Sequence, residues 1–283
     1  MGTTERFLRG CVAIMYGILH ILIFTTSGFL FAFVVAAIVS GGDGVIFRHH
    51  ITRHTTWHGA CLIRILRALL GINITITRLN DAFIDPKIAY IIISNHQSVM
   101  DIPVLCYVLW SLRLFRLRWI LKHELWWTPF GWAAFLTKCG LVKRRKERGK
   151  EDVTSVASCG KSAMEDGASV IIFPEGTRFR GVKPGEYFRY VLRPKLGGFQ
   201  TLREQMPQAP ILSLTLCWHG GKMGMGFGRT MWDTFDLVGR NLHITVQTIP
   251  RAEVDADWEW LNLHWEEKDI QLAIVQSPCR VKS

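Results

Sequence analysis

His96 and Asp101 stand five positions apart in residues 91–101, IIISNHQSVMD, where an apolar run turns abruptly polar. A carboxylate bonded to one ring nitrogen fixes the tautomer of an imidazole and stabilises the imidazolium. The other nitrogen is then left to take a proton from an incoming alcohol. That chemistry needs no separate protein nucleophile. Ser98 is the rival, but Gly-x-Ser-x-Gly is absent from the chain, and a serine just before a helical run reads as its cap. Asn95 likewise reads as a capping or turn residue. In one continuous helix, five steps of about 100° would set His96 and Asp101 well apart. The expectation is therefore His96 in a turn and Asp101 in the first turn of the following helix, its carboxylate folded back onto the ring.

A second constellation lies in residues 170–180, VIIFPEGTRFR. The apolar run ends in Glu175, Gly176, Thr177 and Arg178, and the glutamate is bracketed by a proline and a glycine, so a tight turn is expected there. Its backbone amides and Arg178 can face an anion, and the planar fork of Arg178 matches phosphate oxygens. A plain surface ion pair between Glu175 and Arg178 is the other reading.

Both constellations follow candidate strands, and in open α/β sheets reactive groups collect at the carboxyl ends of strands. Strand patterns occur at 72–79, 88–94, 169–173, 211–218 and 242–249. Helical spacing or length occurs at 98–112, 123–137, 150–166 and 195–206, with Val153, Val156, Ala157, Gly160, Ala163 and Met164 making one stripe. The expected fold is α/β, with a mostly parallel central sheet flanked by helices. The glycine-rich HGGKMGMGFGRT lacks dinucleotide-loop spacing and reads as a loop, and GKS at 160–162 lacks the upstream glycine of a phosphate loop and reads as helix interior.

The first 71 residues differ in kind. No charge occurs from Cys11 to Val39, and Thr25, Thr26, Ser27 and Gly28 divide this run into two apolar arms. Arg6 and Arg9 precede it and Arg48 and Arg53 follow it, which fits a hairpin dipping into one leaflet, with a single long tilted span as the alternative. Beyond it, Ile63, Leu66, Leu69 and Leu70 share a helical stripe with Arg64 and Arg67 on other faces, the pattern of a basic amphipathic helix at a membrane surface. His50, His54 and His58 recur every four residues; a partly solvated interfacial face is expected rather than a metal site, because no carboxylate or cysteine accompanies them. The expected division is 1–71, a membrane anchor with an interfacial helix, and 72–283, the α/β domain.

Composition limits the partners. The chain of 283 residues is 49% hydrophobic, with eleven Trp and sixteen Phe, too apolar for a disordered protein. A net charge of +11 attracts phosphates, but zinc-finger, basic-zipper and RNA-recognition patterns are absent, so no nucleic acid is expected. Seven scattered cysteines without a Cys-x-x-Cys pair read as small core residues in a reducing setting.

NHQSVMD and FPEGTR resemble the first and third sequence blocks of the glycerolipid acyltransferases, of the 1-acyl-sn-glycerol-3-phosphate acyltransferase type. LKHELWWTPFGW at 121–132 and GLVKRR at 140–145 are similar to the second block. LRPKLGGF at 192–199 and APILSLTL at 209–216 resemble the fourth region. With WLNLHWEEKDIQL at 260–272, the pattern is most similar to the lysocardiolipin acyltransferase-like subgroup, and the likeness covers about residues 72 to 275. Phe179 stands where many members carry a small polar residue, and Lys143, Arg144, Arg145 and Lys146 crowd the end of the second block.

The resemblance implies transfer of a fatty acyl group from an acyl-thioester, on coenzyme A or acyl carrier protein, to the free hydroxyl of a lysophospholipid, first of all lysophosphatidic acid giving phosphatidic acid. His96 would be the general base and Asp101 its orienting partner. Glu175, Gly176, Thr177 and Arg178, with Arg144 and Lys195, would bind the acceptor. No metal or redox cofactor is implied, and the protein would be membrane-associated with its catalytic domain facing the cytoplasm. The alternatives are acylation of lysocardiolipin or lysophosphatidylglycerol, tafazzin-like transacylation between phospholipids, and a catalytically silent anionic-lipid-binding protein.

Overall fold

The structure, a computed structural model, describes residues 3–20, 26–80, 83–143, 149–179, 181, 187–219, 237–254 and 257–276. In chain order the elements are α1 (Thr3–Leu19), α2 (Thr26–Ser40), α3 (Gly44–Leu70), β1 (Asn73–Arg78), β2 (Ile91–Ser94), α4 (Asp101–Ser111), β3 (Leu117–Lys122), α5 (Pro129–Leu136), β4 (Gly140–Val142), α6 (Gly149–Glu165), β5 (Ser169–Ile172), α7 (Leu196–Gln205), β6 (Ile211–His219), β7 (Asn241–Ile249) and α8 (Trp258–Gln276). The strands form one seven-stranded sheet in the order β1-β7-β6-β2-β5-β3-β4. Neighbours are parallel except for β6 and β7, which run antiparallel.

Period-two alternation sorts the strand residues between two layers. Ile92, Ile171, Leu212 and Leu214 face α3 and α4, whereas Ile91, Ile93, Val170 and Ile172 face α6, α7 and α8. Both faces of β2 and β5 are covered, so these strands read as continuous apolar runs. Each fully buried isoleucine stabilises the fold by roughly 1.5–3 kcal/mol.

Two strands escaped the sequence reading, and both have a local reason. β3 carries Arg118, which looks foreign to a buried strand, yet it is buried because Asp166 and Ser162 receive its guanidinium. β4 has only three residues, too few for a pattern. The expected helix at 123–137 is instead a single 3-10 turn, His123–Leu125, followed by α5. Thr128 caps α5 by accepting from the Gly131 amide at 3.2 Å. Gly131 is required because a Cβ there would lie 2.2 Å from the Leu125 carbonyl oxygen.

The N-terminal region packs more intimately than an interfacial helix would. Ile63, Leu66 and Leu70 of α3 join the main core against α4, so this stripe faces protein and not lipid. The neighbouring helix offers the apolar partner that the sequence stripe required. Arg48 of α3 also donates two hydrogen bonds to Asp166, at 2.6 and 2.9 Å, on the carboxylate that binds Arg118. Burial alone would raise the Asp166 pKa, but Arg48 and Arg118 outweigh it and hold the carboxyl below its ordinary value.

His50, His54 and His58 of α3 are half-buried, with His54 and His58 against Gly28 of α2 and His58 beside His20. His58 lies 3.4 Å from His20, its ring stands 4.5 Å from that of His54, and burial together with these two imidazoles lowers its pKa to about 4. Among the described residues, no group of three His, Cys, Asp or Glu could hold a metal ion, and no helix is long and apolar enough to cross a membrane. Cys106 and Cys159 are buried free thiols, each pushed up to about 12 by desolvation. The glycine-rich stretch at 219–230 lies outside the described residues beyond His219, and GKS at 160–162 lies inside α6.

Candidate active site

β2 and β5 are parallel neighbours in register, Ile93 opposite Ile172, so both chains leave the sheet at the same edge. That shared exit places the two sequence constellations side by side. The Phe179 amide donates to the His96 carbonyl at 2.7 Å, and the His96 amide lies 3.4 Å from Glu175 Oε1.

His96 lies in the loop after β2, and Asp101 opens α4. The His96 Nδ1 to Asp101 Oδ2 distance is 2.9 Å. Asp101 is fully buried; its Oδ2 also accepts from the amides of Gln97 and Ser98, at 2.6 and 2.7 Å, and its Oδ1 accepts from Trp218 Nε1 at 3.1 Å. Because the carboxylate only accepts, Nδ1 must carry the proton, which leaves Nε2 as the accepting nitrogen. The imidazole stacks on Phe173, with centroids 4.2 Å apart and planes tilted by 21°, and its side chain is 13% exposed. The ring is thus clamped on one face and at one nitrogen while keeping access to solvent.

The neighbours of His96 have structural work. Ser98 is buried, and its Oγ accepts from the Met100 amide at 3.1 Å, which stabilises the turn. Asn95 is not a cap. Its side chain spans to β6, donating to the Leu216 carbonyl and accepting from the Leu216 amide, at 2.9 and 2.8 Å.

In the second turn, Glu175 is 2% exposed, which removes the surface ion-pair reading. Its Oε1 lies 3.4 Å from Trp265 Nε1 of α8 as well as from the His96 amide, and burial raises its pKa well above the ordinary carboxylate value. Gly176 adopts φ +71°, a left-handed conformation that favours glycine, and its amide donates to the Phe173 carbonyl. Thr177 is exposed and Arg178 half-buried at the outer side of this turn. Lys195 is exposed; its amide donates to the Pro174 carbonyl, and its Nζ would lie 3.3 Å from a Cβ on Gly176. Five expected residues therefore share one edge with His96 and Asp101 or touch the turn beside them: Glu175, Gly176, Thr177, Arg178 and Lys195 around the His96 loop. Arg144 lies outside the described residues.

Helix α8 supplies supports that the sequence reading did not find. Trp265 backs Glu175. Lys268 is fully buried, donating to the Leu214 carbonyl at 2.9 Å and to Thr215 Oγ1 at 3.0 Å. Desolvation lowers its pKa to about 7, against the opposing pull of Glu175 and Glu267. Asp269 accepts from the amides of Arg189, Tyr190 and Val191, fixing the loop that leads to Lys195. A buried lysine within an aromatic helix was the available signal, since such a charge is rare unless partnered.

Chemically, the edge offers an imidazole poised to accept a proton beside a turn carrying cations. An alcohol bearing a phosphate has the two functional groups that such a surface can address.

The acyltransferase family model matches residues 75–216, just over half of the chain. The chain is 35% identical over 100 residues to a 1-acyl-sn-glycerol-3-phosphate acyltransferase of Helicobacter pylori, covering 35% of this chain and 38% of that protein. It is 32% identical over 128 residues to a protein of the same name from Pseudomonas aeruginosa, covering 45% and 46%. The match thus spans less than half the length of either curated relative. In fold, the chain is similar to the crystal structure of the 1-acyl-sn-glycerophosphate (LPA) acyltransferase PlsC from Thermotoga maritima, with a TM-score of 0.61 over 98% of this chain and all of that one, at 16% identity. With the family match running through both strand-end turns, the chain belongs to the acyltransferase family, of the glycerolipid type.

Proposed function

We propose that the chain transfers a fatty acyl group from an acyl-thioester to the free hydroxyl of a lysophospholipid, with lysophosphatidic acid as the first acceptor and phosphatidic acid as product. The observation that carries this reading is the junction of the two turns: the Asp101-held imidazole of His96 is hydrogen-bonded through its backbone to the Glu175–Arg178 turn. The names of the two curated relatives support the choice of acceptor.

In this reading, His96 Nε2 takes the hydroxyl proton as the oxygen attacks the thioester carbonyl, and the sulfur leaves as the thiolate that then receives a proton. Asp101 holds the ring and offsets the charge that develops on it. Arg178 and Lys195 hold the acceptor phosphate, and Arg144 joins them. Glu175, being buried, shapes the turn instead of touching lipid. Thr177, exposed beside Arg178, contacts the head group. The donor is acyl-CoA or acyl carrier protein, and no metal or redox cofactor takes part.

The protein works at a membrane, with α1 and α2 lying in one leaflet on the cytoplasmic side. The exposed Phe7, Met15, Phe31 and Ile38 support this placement, as does the net charge of +11. Incubating purified protein with a panel of lysophospholipids and labelled acyl-CoA tests the reading. Phosphatidic acid formed with the highest kcat/KM is the expected result, and no acylated product from any acceptor would overturn it.

A further inference from the structure

Residues 126–135 expose five large aromatic side chains: Trp126, Trp127, Phe130, Trp132 and Phe135, at 59, 67, 46, 44 and 79% of their surface. An aromatic side chain offers about 150–250 Å². Roughly 500 Å² of aromatic surface is therefore presented within ten residues, as large as the largest apolar patch of an ordinary soluble monomer.

This surface is not a misplaced core. The other side of α5 is already docked, with Ala133 buried and Leu136 packed beside Ala36 of α2 and Ile51 of α3. Small residues face inward and large ones outward. The same small cluster ties α5 to α2, whose outer face exposes Phe31 and Ile38 at 72 and 74%. Exposed Lys122, paired with Glu124 at 3.4 Å, and exposed Lys138 flank the patch, just before its first tryptophan and just after its last phenylalanine. The segment starts where β3 leaves the sheet. Since β3 is parallel to β5, this is also the edge that carries His96 and Glu175.

We propose that the aromatic face of residues 126–135 docks on a bilayer containing anionic phospholipid, as a contact additional to the N-terminal helices, and so sets the reactive sheet edge against lipid. Three tryptophans suit an interface that is apolar on one side and wet on the other. Exposed Lys138 and the net charge of +11 match anionic head groups. A second copy of this chain would cover the aromatics but would bring equal positive charge to the same rim. The inference extends the acyl-transfer reading, but its test reads binding without turnover, so failure of one is distinguishable from failure of the other.

The test uses the full chain and vesicles of phosphatidylcholine with phosphatidylglycerol, some carrying brominated acyl chains that quench nearby tryptophan. The conservative double variant Trp126→Phe, Trp127→Phe should bind like the parent yet lose at least a third of the quenchable fluorescence. The polar variant Trp126→Ser, Trp127→Ser, Phe135→Ser should bind at least tenfold more weakly, with α1 and α2 intact. Undiminished quenching in the first variant overturns the proposal even if the second fails to fold. So does a shift of the second variant from dimer to monomer with unaltered vesicle affinity, which would assign the face to contacts between copies.

Discussion

The indole N–H of Trp218 lies 3.1 Å from Oδ1 of Asp101, so a residue near the end of β6 completes the carboxylate that holds His96. Asp101 then has four donors on two oxygens: His96, Gln97 and Ser98 on one, and Trp218 on the other. Trp218→Phe keeps the ring but removes the donor. A hydrogen bond to a charged group contributes about 1.5–3 kcal/mol, so kcat should fall roughly ten- to a hundredfold with little change in acceptor KM. Steady-state kinetics on a variant with native circular dichroism checks this.

Asp101→Asn preserves shape but turns an acceptor into a group that must also donate. Its amide would meet the Gln97 and Ser98 N–H groups, which already donate to that position. The unmatched buried donor should lower stability by about 1–3 kcal/mol. Turnover should fall at least about a hundredfold, because the ring loses its fixed tautomer. Urea titration and single-turnover assays read the two effects separately.

Asp166 joins α3, β3 and the α6–β5 connection through Arg48 and Arg118. Asp166→Ala leaves the buried Arg118 without its counter-charge and should cost about 3–5 kcal/mol. Arg48→Ala leaves the Arg118 pair in place and should cost less. Thermal unfolding of the two variants gives the order, and equal losses would show that Arg118 does not depend on this carboxylate.

Lys268 gives a pH dependence whose sign can be worked out. Its pKa is about 7 in the folded protein against an ordinary 10.5. Between those values the unfolded chain binds the extra proton, so this group's contribution to stability rises as pH climbs from about 7 to about 10.5, and is lost as pH falls back. Glu175, raised above the ordinary 4.5, acts in the opposite sense: its contribution is present at low pH and is lost as pH rises through its folded value. Unfolding of Lys268→Met by urea between pH 7 and 10 should show a shallower rise than the parent. Parallel profiles would mean that the buried amine is charged throughout.

Gly176→Ala forces a side chain into φ +71° and against Lys195 Nζ. Strain of this kind costs about 1–3 kcal/mol. The main kinetic effect should be a higher KM for phosphorylated acceptors, measured against an acceptor lacking the phosphate.

The sequence shows most where one local rule decides. The strands containing Ile91–Ile93 and Val170–Ile172 are legible because both faces are buried, and His96 and Asp101 because a short turn links them. The segment around Arg118 hides a strand, because its charge is neutralised by Asp166, 48 positions away. Trp218 and Trp265 are equally hidden, since their partners Asp101 and Glu175 lie 117 and 90 residues distant. The α3 stripe at Ile63, Leu66 and Leu70 is a sound amphipathic pattern, but periodicity does not say whether a helix or a bilayer covers it; here α4 does.

Acyl transfer by His96→Ala tests the account most directly. With purified protein, labelled acyl-CoA and lysophosphatidic acid in mixed micelles, turnover should fall at least about a hundredfold while folding and vesicle binding stay at the parent level. Near-parental turnover in that variant would contradict the assignment of His96 as the group that takes the hydroxyl proton.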